Sequence, residues 1–346
     1  MRTEKIKVVI FGVGNMGRAA VNFMLDKGCE IVGAIGRSRN IGKDVALVAG
    51  RKEPIGVPIE SDVDAVLDRC GAEIAFISTQ SGLEEVAELV KKCAARHINV
   101  VTISEEAYYP FVTKPALAKE LDEICKQGGI TMYASGMQEP FWSNLCTDLC
   151  ASCQKIEKID SVNVLPLEDM GPVVIDELYL GKTVEEFKEL TKDMPAEENP
   201  LALVCLTAIN ANSAYMGLTI DKTTVSVEPI LTEKDMYVPN WDITFPKGTI
   251  IGLDIIADMD TKEGIRWHST LSFPVTDGAP HSIKWDITGV PNLHLEVPSF
   301  CGEITTCSTP VNRIPDVIMA EPGLKTVVDF PKAVYRFRPL HTYIKD

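Results

Sequence analysis

Residues 6–36 read IKVVIFGVGNMGRAAVNFMLDKGCEIVGAIG, and three textures within that stretch decide the fold. IKVVIF (6–11) is a near-continuous apolar run, the pattern of a strand buried on both faces of a parallel sheet. In RAAVNFMLDKG, Ala20, Val21, Met24 and Leu25 recur at helical spacing, and Gly28 stands where a helix C-cap would. EIVGAIG (30–36) is a second apolar strand. Between the first strand and the helix lies GVGNMG (12–17), a GxGxxG turn. Alone that pattern is weak; in a strand–turn–helix–strand setting it marks a dinucleotide-binding βαβ unit. Gly12 permits the tight turn, Gly14 lets the backbone approach a pyrophosphate, and Gly17 allows close packing of helix on strand. The amides of Asn15 and Met16, at the helix N-terminus, are the expected phosphate donors.

The same alternation continues outward. DVDAVLDRC, GLEEVAELVKKCAARH and PALAKELDEICKQGG read as helices, and EIAFIST, NVVTIS and ITMYAS as strands between them. Strands alternating with helices give a Rossmann-type doubly wound parallel sheet in an α/β fold. After about residue 155 the texture changes. KIDSVNVLPLE, TTVSVEPIL, GTIIGLDIIADM, IRWHSTLSFPV and HSIKWDITG are closely spaced strands, with helices at EEFKELTKDM and NPLALVCLTAINANSAYMG. They describe a second, α+β domain with a mixed or antiparallel sheet. The expected organisation is a dinucleotide-binding domain at 1–150, a substrate and oligomerisation domain at 151–305, and a segment at 306–346 that returns to the first domain.

Composition narrows the function class. The chain has 346 residues, 45% hydrophobic and 24% charged, the mix of a globular protein of two domains. No apolar run approaches the roughly 20 residues that span a bilayer, and the chain enters its first strand without a signal peptide, so no membrane partner is expected. A formal charge of −15 without a basic stripe argues against nucleic acid. Ten cysteines in such a chain read as reduced cytoplasmic thiols. Cys146, Cys150 and Cys153, spaced to share one helix face, read as small apolar residues rather than metal ligands.

The loop after the second strand should choose the cofactor. An acid there would hold the ribose hydroxyl of NAD; here stand Gly36, Arg37, Ser38 and Arg39. Two arginines and a hydroxyl suit a 2′-phosphate, so NADP(H) is the expected cofactor, with NAD(H) the alternative. Ser78, Thr79 and Gln80 follow the third clear strand, where small polar residues meet a ribose or phosphate; Ser81 there reads equally as a plain helix N-cap.

VVIFGVGNMG, NVVTISEEAYYP (99–110) and ASGMQEPF (134–141) together resemble the dihydrodipicolinate-reductase-like superfamily. Within it the chain is most similar to the 2,4-diaminopentanoate dehydrogenase and native amine dehydrogenase family. LPLEDMGP (165–172), LGKTVEEF (180–187) and PVNRIPDVIMAEPGLKTVVDFP (310–331) extend the resemblance to both domains. The resemblance implies oxidative deamination of a small amine or diamino acid with NAD(P), the reverse reductive amination of a ketone, and a homodimer or larger homo-oligomer built on the second domain's sheet. It also implies a carboxylate just after the fourth clear strand, which falls on Glu105 or Glu106, with Glu105 preferred. The chemistry agrees: hydride loss from an amine carbon leaves an iminium, and a nearby carboxylate can in turn take the ammonium proton, stabilise the iminium and activate water. The chain departs from the family's GxNPGF-type turn at Gly136–Phe141, and it lacks the paired-histidine and PSGTA-like motifs of true dihydrodipicolinate reductases. The competing functions are a reductase of a C=N or C=C bond in another metabolite and a non-catalytic nucleotide sensor. His268, His281, Asn312 and Arg313 read as site candidates or as structural residues, and Tyr108, Tyr109 and Trp142 as pocket walls or core.

Overall fold

Val8, Val9, Ile10 and Phe11 are all buried, so strand β1 (Lys7–Phe11) has to lie inside a sheet covered on both faces. In the computed structural model the chain continues through α1 (Asn15–Asp26), β2 (Glu30–Ile35), α2 (Val45–Val48), β3 (Ile59–Glu60), α3 (Val63–Cys70), β4 (Ile74–Ile77), α4 (Leu83–Ala94), β5 (Asn99–Thr102), α5 (Pro115–Gly128) and β6 (Thr131–Ala134). These strands pair in parallel in the order β6-β5-β4-β1-β2-β3. The order reverses between β1 and β4, and in open sheets of this kind ligands sit beyond the strand ends at that point. Val9, Ala75, Val86, Val100 and Leu121 belong to one apolar cluster, and Val8, Ile10, Val21, Met24 and Phe76 to another; the alternation of β1 between them is the two-faced burial its sequence demanded.

The remaining elements are α6 (Leu145–Ala151), β7 (Lys155–Val164), α7 (Val174–Glu177), α8 (Val184–Thr191), α9 (Pro200–Met216), β8 (Ile220–Leu231), β9 (Met236–Val238), β10 (Ile243–Phe245), β11 (Ile250–Thr261), β12 (Arg266–Pro274), β13 (His281–Val290), β14 (Leu293–Phe300), α10 (Gly302–Met319) and β15 (Gly323–Lys325). The chain divides into two units, Met1–Asn144 with Glu303–Asp346, and Leu145–Gly302. The second unit holds a six-stranded mixed sheet in the order β14-β13-β7-β12-β11-β8, with β7 and β12 parallel and the other pairs antiparallel. The doubly wound parallel sheet and the separate α+β sheet are the fold class expected from the sequence. In the first unit β15 adds to the sheet by pairing in parallel with β6, and Val311, Ile314 and Val317 of α10 join the cluster that contains Met24.

The structure describes residues 2–169, 172, 174–276 and 278–345; Met170 and Gly171 of LPLEDMGP lie outside them. Several details differ from expectation. β14 was not visible as a strand, because Pro298 interrupts its sequence; as an edge strand it tolerates a residue that cannot donate. The last helix begins at Gly302 rather than near 308 and carries Pro310 and Pro315 within it. Cys146 and Cys150 are buried on α6, but the helix ends at Ala151, so Cys153 does not share their face. No helix among the described residues is long and apolar enough to cross a membrane.

Candidate functional site

The three glycines of the turn after β1 do different work. Gly12 adopts φ +87° and donates its amide to Ile35 O at 2.8 Å; a Cβ there would lie 2.7 Å from Ser78 O. A Cβ on Gly17 would lie 2.0 Å from Gly12 O. These two are demanded by the protein's own packing. Gly14 is different: a Cβ on it would meet nothing within 4 Å. It caps α1 without any side-chain hydrogen bond, so no cap side chain occupies the first amides of the helix, at Asn15 and Met16, which stand at the positive end of the helix dipole.

The end of β4 is tied to this turn. Ser78 donates its amide to Phe11 O at 2.8 Å, and its hydroxyl lies 3.0 Å from Phe11 O and 3.1 Å from Gly12 O. Ser78 therefore braces the turn. Thr79 packs its methyl beside Gly12, and its buried Oγ1 has no hydrogen-bond partner among the described residues. Gln80 is half-buried. Ser81 is not the N-cap of α4; that position is Gly82, which brings no side-chain bond. Beyond β2, Arg37, Ser38 and Arg39 are all exposed, and neither guanidinium is engaged within the described residues.

Glu105 and Glu106 follow β5 on a short 3-10 turn whose backbone packs on the loop after β4: Ser104 Oγ donates to Ser81 O at 2.7 Å and Glu106 N to the same oxygen at 3.2 Å. The two carboxylates have separate surroundings. Glu106 is buried, and its Oε2 accepts from the amide of Leu83 at 2.8 Å. It supplies the cap that Gly82 cannot, and a carboxylate suits a helix N-terminus. Glu105 carries no such bond to a helix. Burial raises its pKa above the ordinary carboxylate range, against a hydrogen bond from the Ser81 side chain that lowers it.

The altered turn at Gly136–Phe141 runs into a π-helical segment, Gln138–Asn144. Glu139 within it is 0% exposed and faces Arg313 of α10, 1% exposed. Arg313 Nε donates to Glu139 Oε1 at 2.8 Å, and Nη2 reaches both that oxygen and Pro331 O. Tyr133 Oη and Ser135 Oγ donate to Glu139 Oε2 at 2.8 and 2.6 Å. Arg313 Nη1 also meets Asp316 at 3.2 Å. A desolvated pair needs such satisfaction at each lone pair and N–H to be stable. Arg313 is thus a structural tie between α10 and the turn after β6. Its neighbour Asn312 is structural too: it donates to Ser308 O and accepts from Arg336 N. Tyr108 is core, its hydroxyl 2.7 Å from Ser143 Oγ. Trp142 is buried, and Tyr109 packs edge-on against Phe111. In the second unit His268 Nδ1 lies 2.8 Å from Asp258, and His281 packs edge-on against Phe300.

Comparison with known proteins agrees with this arrangement. A model of the 2,4-diaminopentanoate dehydrogenase C-terminal domain matches residues 142–338, and one of the dihydrodipicolinate reductase N-terminus matches residues 6–104. The 2,4-diaminopentanoate dehydrogenase of Acetoanaerobium sticklandii is 30% identical over 95% of this chain and 94% of its own. The structure of an amine dehydrogenase from Mycobacterium smegmatis superposes with a TM-score of 0.88 at 33% identity, over 97% of this chain and 99% of that one. A partial likeness, 29% identical over 34% of this chain and 42% of the other, links it to the 4-hydroxy-tetrahydrodipicolinate reductase of Geobacter metallireducens. With a family model over more than half its length and a relative matched nearly end to end, the chain belongs to the 2,4-diaminopentanoate dehydrogenase family and is a dehydrogenase.

Proposed function

We propose that this enzyme carries out NADP-dependent oxidative deamination of a small amine-bearing acid, and the reverse reductive amination, with Glu105 serving the reacting nitrogen. The observation that carries the reading is the likeness to an amine dehydrogenase over 97% of the chain. The residues fit a dinucleotide: Gly14 leaves its approach open, the α1 amides await an anion, and Thr79 Oγ1 is a buried polar atom without a protein partner. A bound nicotinamide supplies the hydride acceptor. Glu105, free of the capping duty that occupies Glu106, takes the proton of the substrate ammonium and passes it to solvent; its restored carboxylate then steadies the iminium and takes a proton from the water that attacks it, on the way to releasing ammonia. A panel of amines and amino acids incubated with NADP⁺ and NAD⁺, followed by reduced-cofactor absorbance and by ammonia release, tests the reading. Absence of ammonia across the panel overturns it in favour of a reductase.

The preference for NADP rests on Arg37 and Arg39, exposed and unengaged, with no acid at 36–39 to repel a phosphate. Arg37→Asp is expected to weaken NADP⁺ binding by about 1–3 kcal/mol, the scale of a charged hydrogen bond. Equal wild-type affinities for the two cofactors, or tighter NAD⁺ binding, would remove the preference.

We also read the enzyme as a homodimer or larger homo-oligomer through the open face of the second unit's sheet. On that face Val162 is 40% exposed, and Lys158–Asp160, His268–Asp258 and Lys284–Glu296 pair charges of both signs along the strands. A surface of mixed sign suits contact with its own copy. Light scattering at micromolar concentration should give a multiple of 37.9 kDa; the monomer mass would end this reading. A cytoplasmic location is the matching proposal; Cys29, Cys93 and Cys125 are buried thiols, which burial pushes up to about 12 in pKa.

A further inference from the structure

Beside the phosphate turn, a cleft of about 400 Å³ is lined by Arg18, Asn40, Lys43, Asp44, Leu47 and Val48. Arg18 stands in the first turn of α1, its amide bonded to Gly14 O at 2.9 Å and its Nη2 donating to Asn15 Oδ1 at 2.6 Å. Lys43 Nζ donates to Asn40 Oδ1 at 3.2 Å. Both anchors are neutral amides. They fix the positions of the two cations without cancelling their charge, and neither cation forms an ion pair among the described residues. Anchored cations lose less freedom on binding an anion than unanchored ones such as Arg37 and Arg39.

The cleft contains one acid, and its position after β2 raises the question of a ribose hydroxyl partner. Asp44 cannot serve as one. Its Oδ1 accepts from Ala46 N at 2.9 Å and Leu47 N at 3.3 Å, and its Oδ2 from Ile55 N, Gly56 N and Val57 N at 3.1, 2.8 and 3.1 Å. A carboxylate offers about four lone-pair sites, so five N–H donors leave nothing for a ligand. Desolvation raises its pKa, but the backbone donors outweigh it and hold the carboxyl below its ordinary range. The acid is a staple of the α2 loop whose lone pairs are taken; it keeps its charge, and the two cations Arg18 and Lys43 outnumber it in the cleft. Its other wall is apolar: Leu47 is 47% exposed, a surface that a flat aromatic base can cover.

We infer that this cleft seats the adenosine 2′-phosphate end of the cofactor, with Arg18 and Lys43 holding the 2′-phosphate and Leu47 and Val48 facing the base. The inference rests on the NADP reading and adds two specificity-determining residues outside the loop at 36–39.

The test compares two probes that differ by the 2′-phosphate, 2′,5′-ADP and 5′-AMP, titrated calorimetrically into the full-length wild type, Arg18→Met and Lys43→Met. Wild type should bind 2′,5′-ADP more tightly. Each variant should lose about tenfold or more in affinity for 2′,5′-ADP while keeping its affinity for 5′-AMP. Wild-type affinity for 2′,5′-ADP in both variants overturns the inference and leaves the NADP reading standing. An equal loss for both probes assigns the cations to the 5′-phosphate and overturns it as well. A wild type that binds 5′-AMP as tightly as 2′,5′-ADP sinks the NADP reading and the inference together. Thermal melts accompany the titrations; should Arg18→Met melt early through its lost bond to Asn15, Lys43→Met decides alone.

Discussion

Glu105→Gln is expected to lose roughly 10²–10⁴-fold in deamination turnover, the contribution of a positioned general base, while binding NADP(H) as the wild type does. The phosphate turn and its bracing by Ser78 are untouched by the change. Glu106→Gln should behave in the opposite way. Its amide oxygen can still accept from Leu83 N, so turnover and fold should both persist; Glu106→Ala, which removes the cap, should cost about 0.5–2 kcal/mol of stability. Stability gives an independent check on Glu105. Its folded pKa is raised by burial, so its contribution is most favourable below the unfolded value, near 4.3, and is lost as pH rises through the folded value. Glu105→Gln removes that loss, and at neutral pH the variant should be at least as stable as wild type. Turnover of the wild type should fall on the acid side as Glu105 protonates, with the limb displaced above the ordinary carboxylate range. Reduced-cofactor fluorescence, steady-state rates and denaturant melts read all three. Near-wild-type turnover in Glu105→Gln, with loss in Glu106→Gln, would reverse the assignment.

The largest stability effect should come from the buried pair. Arg313→Met leaves the Glu139 carboxyl group at 0% exposure without its guanidinium, with only Tyr133 and Ser135 to satisfy it. Breaking one side of a buried ion pair costs about 3–5 kcal/mol, read as a shift of the urea midpoint without a change of slope. Adding Glu139→Gln to Arg313→Met should restore a large part of that loss, because a neutral amide oxygen still accepts from the two hydroxyls. A double variant no more stable than Arg313→Met would show that the pair is not the source of the cost.

The distribution of what could be read follows from the range of the interactions involved. Residues 6–36 determined the nucleotide-binding half of the fold alone, because strand burial, helical spacing and glycine geometry are local and each leaves a period in the sequence. The alternation of the first half and the strand-dense texture of the second were legible for the same reason, and the resemblance over both halves carried the family. The division of labour between Glu105 and Glu106 was not legible: neighbours in sequence, they part because one reaches a helix amide 23 positions away. Nor was the tie between Glu139 and Arg313, 174 residues apart, nor the saturation of the Asp44 carboxylate by the amides of a loop that folds back on it. The three-residue strand β15 and the proline-bearing edge strand β14 are strands because a neighbour offers them a hydrogen-bonding partner, and a partner supplied from elsewhere in the chain leaves no period in the segment it recruits. The sequence by itself determined which chemistry stands at the strand ends; tertiary contact decided which of those groups are spent on holding the fold and which remain for the ligand.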